Sequence, residues 1–577
     1  MPVLTSMQRT KSKHKKGREG HSSARAGSAT GPASPARPFL SREKLILAAI
    51  LALGLALRVF RLMENFPIVG DESIYLRWAE IIDHQGQWFI SLLDGKQPLP
   101  FWLLALQRFA WDGDPLFAAR LLSVAAGLLA TAGIYAIGKR LAGASAGLSG
   151  ALLYAALPWA IMYDRLAFVE AMVNLAGVVI VYTSIRCFER GCYEGESDGA
   201  DGGSGRWREA MVAGLAVGLG FFTKSTVLLF AFFPLLAAFW WRRGRPMFLL
   251  RQLALIYAIA AIFPAISWLG EPDVPTYETT NMVLHQSFFF AEPAELLANP
   301  FVVAVVNVPL FFDYVSSYLT WPAFVLGLAA LGYLSYRREW VAWLLFAVAL
   351  LPLLVQIFIL KQMFPTRYPF PHIWPLLLLI AMGIQRLFED LKQRWEPRRA
   401  AQVTAAALLL ALAPMLVQSV AILRDPKTNL SPHDSGYFLG TYSHAGFGVR
   451  EAIDFLIAES QRGPFVLLTD PIWSVPADAM FPYLNFKYGI RVYEAWWTQL
   501  SGTHPIFPRG TVDLIKSQYE RVKAGKLDLT KLERVYYITD TNYYTPEDVR
   551  IRQPDAQLLK RFPKPGNEYF VDVYRLK

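Results

Sequence analysis

The chain has 577 residues, 54% of them apolar, with 17 Trp, 25 Tyr and 38 Phe, and only 18% charged. That balance excludes an ordinary soluble enzyme and predicts a polytopic membrane protein with length left over for a soluble domain. The net charge of +11 sits at the N-terminus and in short loops between apolar runs, which is topology information and not a nucleic-acid footprint.

Residues 1–40 are rich in Lys, Arg, Ser, Gly and Pro and have no apolar stretch to bury, so a disordered basic cytoplasmic tail is expected. Residues 45–62 follow. This run is long enough to span and lacks a small-residue cleavage pattern, so it reads as a first transmembrane helix and not as a signal peptide. Further apolar runs cover 117–138, 145–162, 168–186, 209–223, 226–241, 252–269, 316–336, 341–360, 371–388 and 400–422. With the first they make about eleven spans. Every second loop is basic, through Lys139 and Arg140, then Arg186, Arg190, Arg206 and Arg208, then Arg242, Arg243 and Arg245, then Arg337 and Arg338, then Lys392, Arg394, Arg398 and Arg399. The positive-inside rule then places the N-terminus inside and the C-terminus outside. Cys187 and Cys192 flank a loop that falls in the cytoplasm and are too few for a disulfide framework.

The predicted fold is therefore mostly α, a polytopic transmembrane helix bundle over 41–423 followed by a small extracytoplasmic α/β domain over 424–577. In that tail, 449–456 has helical spacing, while 464–470, 534–540 and 569–576 read as strands. Asp470 and Asp540 end two of these strands, either as functional acids or as caps. Trp473, Tyr493, Trp496 and Trp497, with the external loop over 277–300, would face an acceptor or anchor in the interface.

Charge at the outer face carries the functional reading. Asp71 and Glu72, in the first external loop (63–116), follow the first span directly and open a periodic stretch fit to lie on the bilayer surface. Acids at a membrane edge are costly, so the pair is either a site or a helix-capping first turn. The topology brings Lys96, Arg165, Glu170, Lys224 and Arg367 to the same face. Lys224 has almost no loop around it, which forces its ammonium to the membrane lip, where it binds a ligand or snorkels. Arg165 and Glu170 open the next span, as site residues or as an ion pair. Arg367 and Tyr368 lie between Pro365 and Pro369, on stiff backbone. A cation cluster suits a lipid-borne phosphate, and a nearby carboxylate would take a proton from a nucleophile. Those requirements describe group transfer from a lipid phosphate. A carrier or flippase would hold the same headgroup without chemistry, but transporters show internal repeats and midplane charges, and neither is found here.

The segments Gly70-Asp71-Glu72-Ser73-Ile74-Tyr75, Gly95-Lys96-Gln97-Pro98-Leu99-Pro100-Phe101-Trp102, Ala118-Ala119-Arg120-Leu121-Leu122 and Arg165-Leu166-Ala167-Phe168-Val169-Glu170, together with Thr223-Lys224 and Arg367-Tyr368-Pro369, resemble the protein O-mannosyltransferase and aminoarabinose transferase branch of the GT-C glycosyltransferases, glycosyltransferase family 39 among them. The resemblance covers roughly residues 45–390. It implies a polyprenyl-phosphate-linked sugar as donor, inversion at the anomeric carbon, and a first external loop lying above the active site. It implies Asp71 as catalytic base with Glu72 as its acidic neighbour, and Lys96, Arg165, Lys224 and Arg367 around the donor phosphate. Glu170, Tyr75 and Tyr368 would be supporting residues. Gln97 intervenes between Lys96 and Pro98, and Glu170 stands where relatives often carry Asp. The partners expected are the donor lipid, membrane lipids and a protein, lipid or glycan acceptor, with no nucleic acid. No cofactor is expected, although Asp71 and Glu72 are oxygen donors suited to Mg or Mn, and the eight histidines show no zinc-ligand spacing.

Overall fold

The structure is a computed structural model that describes residues 41–110, 113–193, 202–240, 246–270, 290–361, 366–441, 444–470, 474–494 and 532–577. The N-terminal tail, the basic loop with Arg242, Arg243 and Arg245, most of the 277–300 loop, and Trp473, Trp496 and Trp497 lie outside the described residues.

Within the described residues, each predicted apolar run falls mostly on helix. The first half contains α1 (Arg42–Val59), α2 (Gly70–Gln85), α3 (Leu99–Ala110), α4 (Pro115–Ala142), α5 (Ala144–Ala155), α6 (Pro158–Tyr163), α7 (Glu170–Tyr193), α8 (Gly202–Thr223), α9 (Leu228–Ala231), α10 (Phe233–Trp240) and α11 (Pro246–Gly270). Helices Ala304–Tyr314, Trp321–Tyr336, Val341–Ile359, Trp374–Arg394 and Pro397–Arg424 complete the bundle. Among the described residues six helices are long and apolar enough to cross a membrane by themselves, and seven if the pair Ala304–Leu319 and Trp321–Tyr336 is one span. The chain is thus a multi-pass membrane protein with at least six apolar spans. Others are interrupted. The 145–162 run divides into α5 and α6 ahead of Pro158, because the residue before a proline is driven out of the helical region. The 316–336 run bends by 103° where Thr320 takes φ +68.

Small residues let the helices approach closely. A Cβ on Gly138 of α4 would lie 2.8 Å from the Gly147 Cα of α5, so only glycine permits that contact. Asp114 starts α4 by accepting from Leu116 N (2.9 Å) and Phe117 N (3.0 Å), with Pro115 in the first turn.

The tail forms a five-stranded sheet in the order β2-β1-β3-β5-β4, built from β1 (Phe465–Thr469), β2 (Ile490–Glu494), β3 (Val535–Asp540), β4 (Gln557–Pro563) and β5 (Phe570–Arg575). β1 is parallel to β2 and β3, and β5 is antiparallel to β3 and β4. The three predicted strands are β1, β3 and β5. β4 escapes sequence reading because it is an edge strand exposed at almost every position, so it has no apolar alternation to detect.

One local expectation is corrected. α2 does not lie free on a bilayer surface: Ile74, Tyr75, Leu76, Trp78, Ala79, Ile81 and Ile82 are all buried. The helix is packed between α3 and the Ala477–Leu484 helix of the tail domain, which covers the face that periodicity assigns to lipid.

Candidate active site

The two neighbouring acids at the start of α2 have opposite environments, because successive helical side chains point about 100° apart. Glu72 points inward and is fully buried. Its Oε1 accepts from Arg120 Nε (2.9 Å) and Ala167 N (2.7 Å), and its Oε2 from Arg120 Nη2 (2.8 Å) and Val69 N (3.0 Å). Those four bonds fill the lone-pair positions of a carboxylate. Arg120 also donates to the carbonyls of Leu62, Phe66 and Pro67, so the Glu72–Arg120 pair fixes the turn that delivers α2.

Asp71 faces the other way, with its side chain 13% exposed, and Arg367 Nη1 donates to its Oδ2. The backbone holds it there. Gly70 N donates to His444 O (2.9 Å) and Gly446 N to Ile68 O (2.8 Å), so a short antiparallel pairing with the tail seats the acid. A Cβ at Gly70 would come 2.9 Å from Ser474 Oγ. Burial by itself would raise the Asp71 carboxyl, but Arg367 and Lys96, with a smaller contribution from His444, hold it at about 2.

Arg367 and Lys96 act on this carboxylate, and Lys224 joins them through Glu170, which lies beside Arg367. Lys96 bonds Asp94 (2.5 Å) and sits over the rings of Tyr75 (5.4 Å) and Trp78 (5.1 Å). Lys224 bonds Glu170 Oε1 (2.6 Å) and lies 5.0 Å from the Tyr368 ring centre. The Arg367 Nε is 4.0 Å from that Glu170 oxygen, and its Nη2 is 3.5 Å from the Tyr368 hydroxyl. Glu170 is nearly buried, whereas Lys224 is 23% and Lys96 31% exposed, which leaves the cations within reach of a ligand. Each cation is matched by a carboxylate, so the cluster is close to neutral. Tyr75 is buried against Phe101 and Trp78; burial first, then Asp71 and Glu170, push its hydroxyl well above the usual tyrosine range, so it stays a proton donor.

Arg165 is not part of this cluster. Its Nη2 donates to the carbonyls of Phe60 (2.6 Å) and Arg61 (3.0 Å), and the side chain is buried near Arg58, Arg61 and Arg120. It braces the turn after α1. Below it, Arg58 pairs with Asp164 at 2.9 Å with both side chains fully buried. Arg120 stands in one of the quoted segments without an assigned role and Arg58 stands in none, although an arginine inside an apolar run was the available signal. Sequence reasoning passed over His444 and Tyr437 for a different reason, since nothing local distinguishes them. Among the described residues no three His, Cys, Asp or Glu side chains are grouped to hold a metal ion.

The arrangement can be compared with known proteins. Residues 95–268, which include Lys96, Arg165, Glu170 and Lys224, match the family model for dolichyl-phosphate-mannose-protein mannosyltransferase. The structure of ArnT from Cupriavidus metallidurans bound to undecaprenyl phosphate superposes with a TM-score of 0.56 at 13% identity, covering 92% of this chain and 98% of that one. The same protein in the apo state gives 0.57 at 13% identity, over 92% and 97%. The chain has the fold of these ArnT structures. The apo oligosaccharyltransferase of Archaeoglobus fulgidus shares this fold with a TM-score of 0.52 at 12% identity, over 93% of this chain and 74% of that one. No curated protein sequence matches the chain significantly. Asp71 and Arg367 fall outside the segment matched by the family model, and it is the fold that carries them to the lysines inside it.

Proposed function

We propose that this GT-C chain is an inverting glycosyltransferase that moves a sugar from a polyprenyl-phosphate donor to an acceptor on the extracytoplasmic side of the membrane. In this reading the eleven helical runs are crossings, with the N-terminus in the cytoplasm and the tail domain outside. The observation that carries the proposal is the accessible carboxylate of Asp71, held ionised by Arg367 and Lys96 beside Lys224 at one end of the helix bundle. The donor phosphate binds Lys224, Lys96 and Arg367. The acceptor oxygen bonds to the anomeric carbon, the bond from that carbon to the phosphate oxygen breaks with its electron pair leaving on phosphate, and the acceptor's proton passes to Asp71.

A carboxyl near 2 is a weak proton acceptor at neutral pH. When the donor phosphate draws Arg367 toward itself, Asp71 loses its hydrogen-bonded cation and gains basicity, so donor binding and base activation are one event. Glu72 has no free lone pair for that work and acts by holding α2. Arg165 acts in the same way on the turn after α1.

The test is Asp71→Asn, assayed with a panel of polyprenyl-phosphate sugars and mass analysis of products. Transfer is expected to fall about a hundredfold to ten-thousandfold, the usual contribution of a positioned base, while donor binding survives. Transfer near the parental rate would reduce Asp71 to a helix cap. A protein that moves the donor lipid across vesicles and transfers nothing would be the carrier described by the second reading of the sequence.

A further inference from the structure

Arg367 is held by its neighbours on both sides. Gln356 Nε2 donates to the Tyr368 carbonyl at 3.0 Å. On the other side Thr366 is fully buried, its hydroxyl donating to Asp434 Oδ2 at 2.6 Å while Trp159 Nε1 donates to its carbonyl at 3.2 Å. Asp434 belongs to a short helix, Pro432–Leu439, in the connection between the last bundle helix and the tail sheet. It is fully buried, and the hydrogen bonds to its carboxylate come from hydroxyls: Thr366, and Tyr318 at 2.6 Å. The Tyr163 hydroxyl is 2.7 Å from Thr366 Oγ1 and extends the network.

A fully buried carboxylate is expensive, and apolar residues of similar volume would usually be neutral or better for stability. Asp434 therefore needs a purpose that packing does not supply. We propose that Asp434 is a positioning residue for Arg367, acting through the Thr366 hydroxyl to fix the backbone that presents the guanidinium to Asp71. The same connecting segment supplies His444–Gly446, which pairs with Ile68–Gly70 and seats Asp71. A single stretch of chain outside the bundle thus sets both partners of the ion pair. This inference rests on the proposed transferase function for its kinetic consequences.

The groups around each carboxylate define what else titrates. Asp71 faces Arg367, Lys96, His444, Tyr75 and Tyr437. Asp434 faces Tyr318, Tyr163, Tyr314, Asp313 and His433, whose Nδ1 is 3.6 Å from Asp434 Oδ1. Loosening Arg367 removes the hydrogen-bonded cation from Asp71 and leaves the others in place, so the Asp71 carboxyl moves up from about 2 toward the ordinary aspartate value of about 3.9.

The experiment uses the full-length protein in detergent and separates the hydroxyl of Thr366 from its volume. Thr366→Val keeps the shape and loses the hydrogen bond; Thr366→Ser keeps the hydrogen bond and loses a methyl. Thr366→Val and Asp434→Asn should lower kcat by about tenfold to a hundredfold, the scale of an ångström-level misplacement, while Thr366→Ser stays within about threefold by the same measure. Asp434→Asn should add little to Arg367→Gln, because residues acting through one another are non-additive. Equal damage from Ser and Val, a parental rate in Thr366→Val, or full additivity with Arg367→Gln would each overturn the proposal. A difference infrared titration of the Asp71 carboxylate, assigned against Asp71→Asn, needs no turnover. Its midpoint should rise in Thr366→Val and not in Thr366→Ser, and an unmoved midpoint also overturns the proposal. A parental protein that transfers nothing sinks the transferase reading, and the infrared titration still decides this one.

Discussion

Replacing Glu72 with Gln separates an acid that reacts from an acid that holds. Both Glu72 and Arg120 are fully buried, and the carboxylate accepts four hydrogen bonds from Arg120 and two backbone amides. Gln offers one carbonyl oxygen in place of two charged oxygens, and whichever position its amide takes, it points hydrogens at Arg120 and at the backbone amide of either Ala167 or Val69. Arg120 is then left as a buried charge without a counter-charge, which costs about 3–5 kcal/mol. The folded, monodisperse fraction of detergent-solubilised protein, followed by size exclusion after heating, should collapse at a clearly lower temperature. Removing both charges together, with Glu72→Leu and Arg120→Met, should recover part of the loss. Recovery stays partial because Arg120 also satisfies the carbonyls of Leu62, Phe66 and Pro67, and each orphaned buried acceptor costs about 1–3 kcal/mol. If Glu72→Gln melts like the parent and yet transfers no sugar, Glu72 is a reacting acid and the division of labour described for α2 is wrong.

Lys224→Ala should weaken donor binding and also slow transfer, since in the proposed reaction the same ammonium meets the phosphate in the ground state and as it departs; an unchanged donor affinity would remove Lys224 from the proposed phosphate site. In the tail domain, Asp470 accepts from the Tyr537 and Thr539 hydroxyls, and burial pushes its carboxyl up to about 7. Between the unfolded value of about 3.9 and that folded value the folded state holds the extra proton, so this residue's contribution to stability falls as pH rises through that window. Asp470→Asn should therefore raise the melting temperature at pH 8 relative to the parent more than at pH 5, and the reverse ordering would refute the assignment. Exhaustive chelation should leave transfer intact, because in the proposed reaction Lys96, Lys224 and Arg367 supply the positive charge facing the phosphate; loss of activity restored by Mg or Mn would pass that duty to a metal.

Much of the architecture was written locally. Apolar runs of spanning length become helix wherever they occur, since a bilayer leaves the backbone no other partners, and the 145–162 run breaks at the Pro158 that can be read in it. The β1, β3 and β5 segments were visible because they are buried on both faces, while β4, exposed along an edge, had no pattern to show. The gathering of Asp71, Lys96, Lys224 and Arg367 was legible from sidedness alone. Which acid faces the cleft was not. Asp71 and Glu72 are adjacent and chemically alike, and only the position of Arg120, 48 residues away from Glu72, turns one of them into a buried strut and leaves the other with Arg367. Sequence grouped Arg165 with the cluster for the same reason, but the carbonyls of Phe60 and Arg61 claim its guanidinium. α2 looked like a helix for the bilayer surface because its cover, the Ala477–Leu484 helix, lies some four hundred residues on, and long-range burial leaves no mark on local periodicity. Composition and periodicity determine that this chain crosses a membrane and brings charge to one side of it; the pairing of each charge is decided only when distant segments pack, because an ion pair's energy depends on distance and burial and not on separation along the chain.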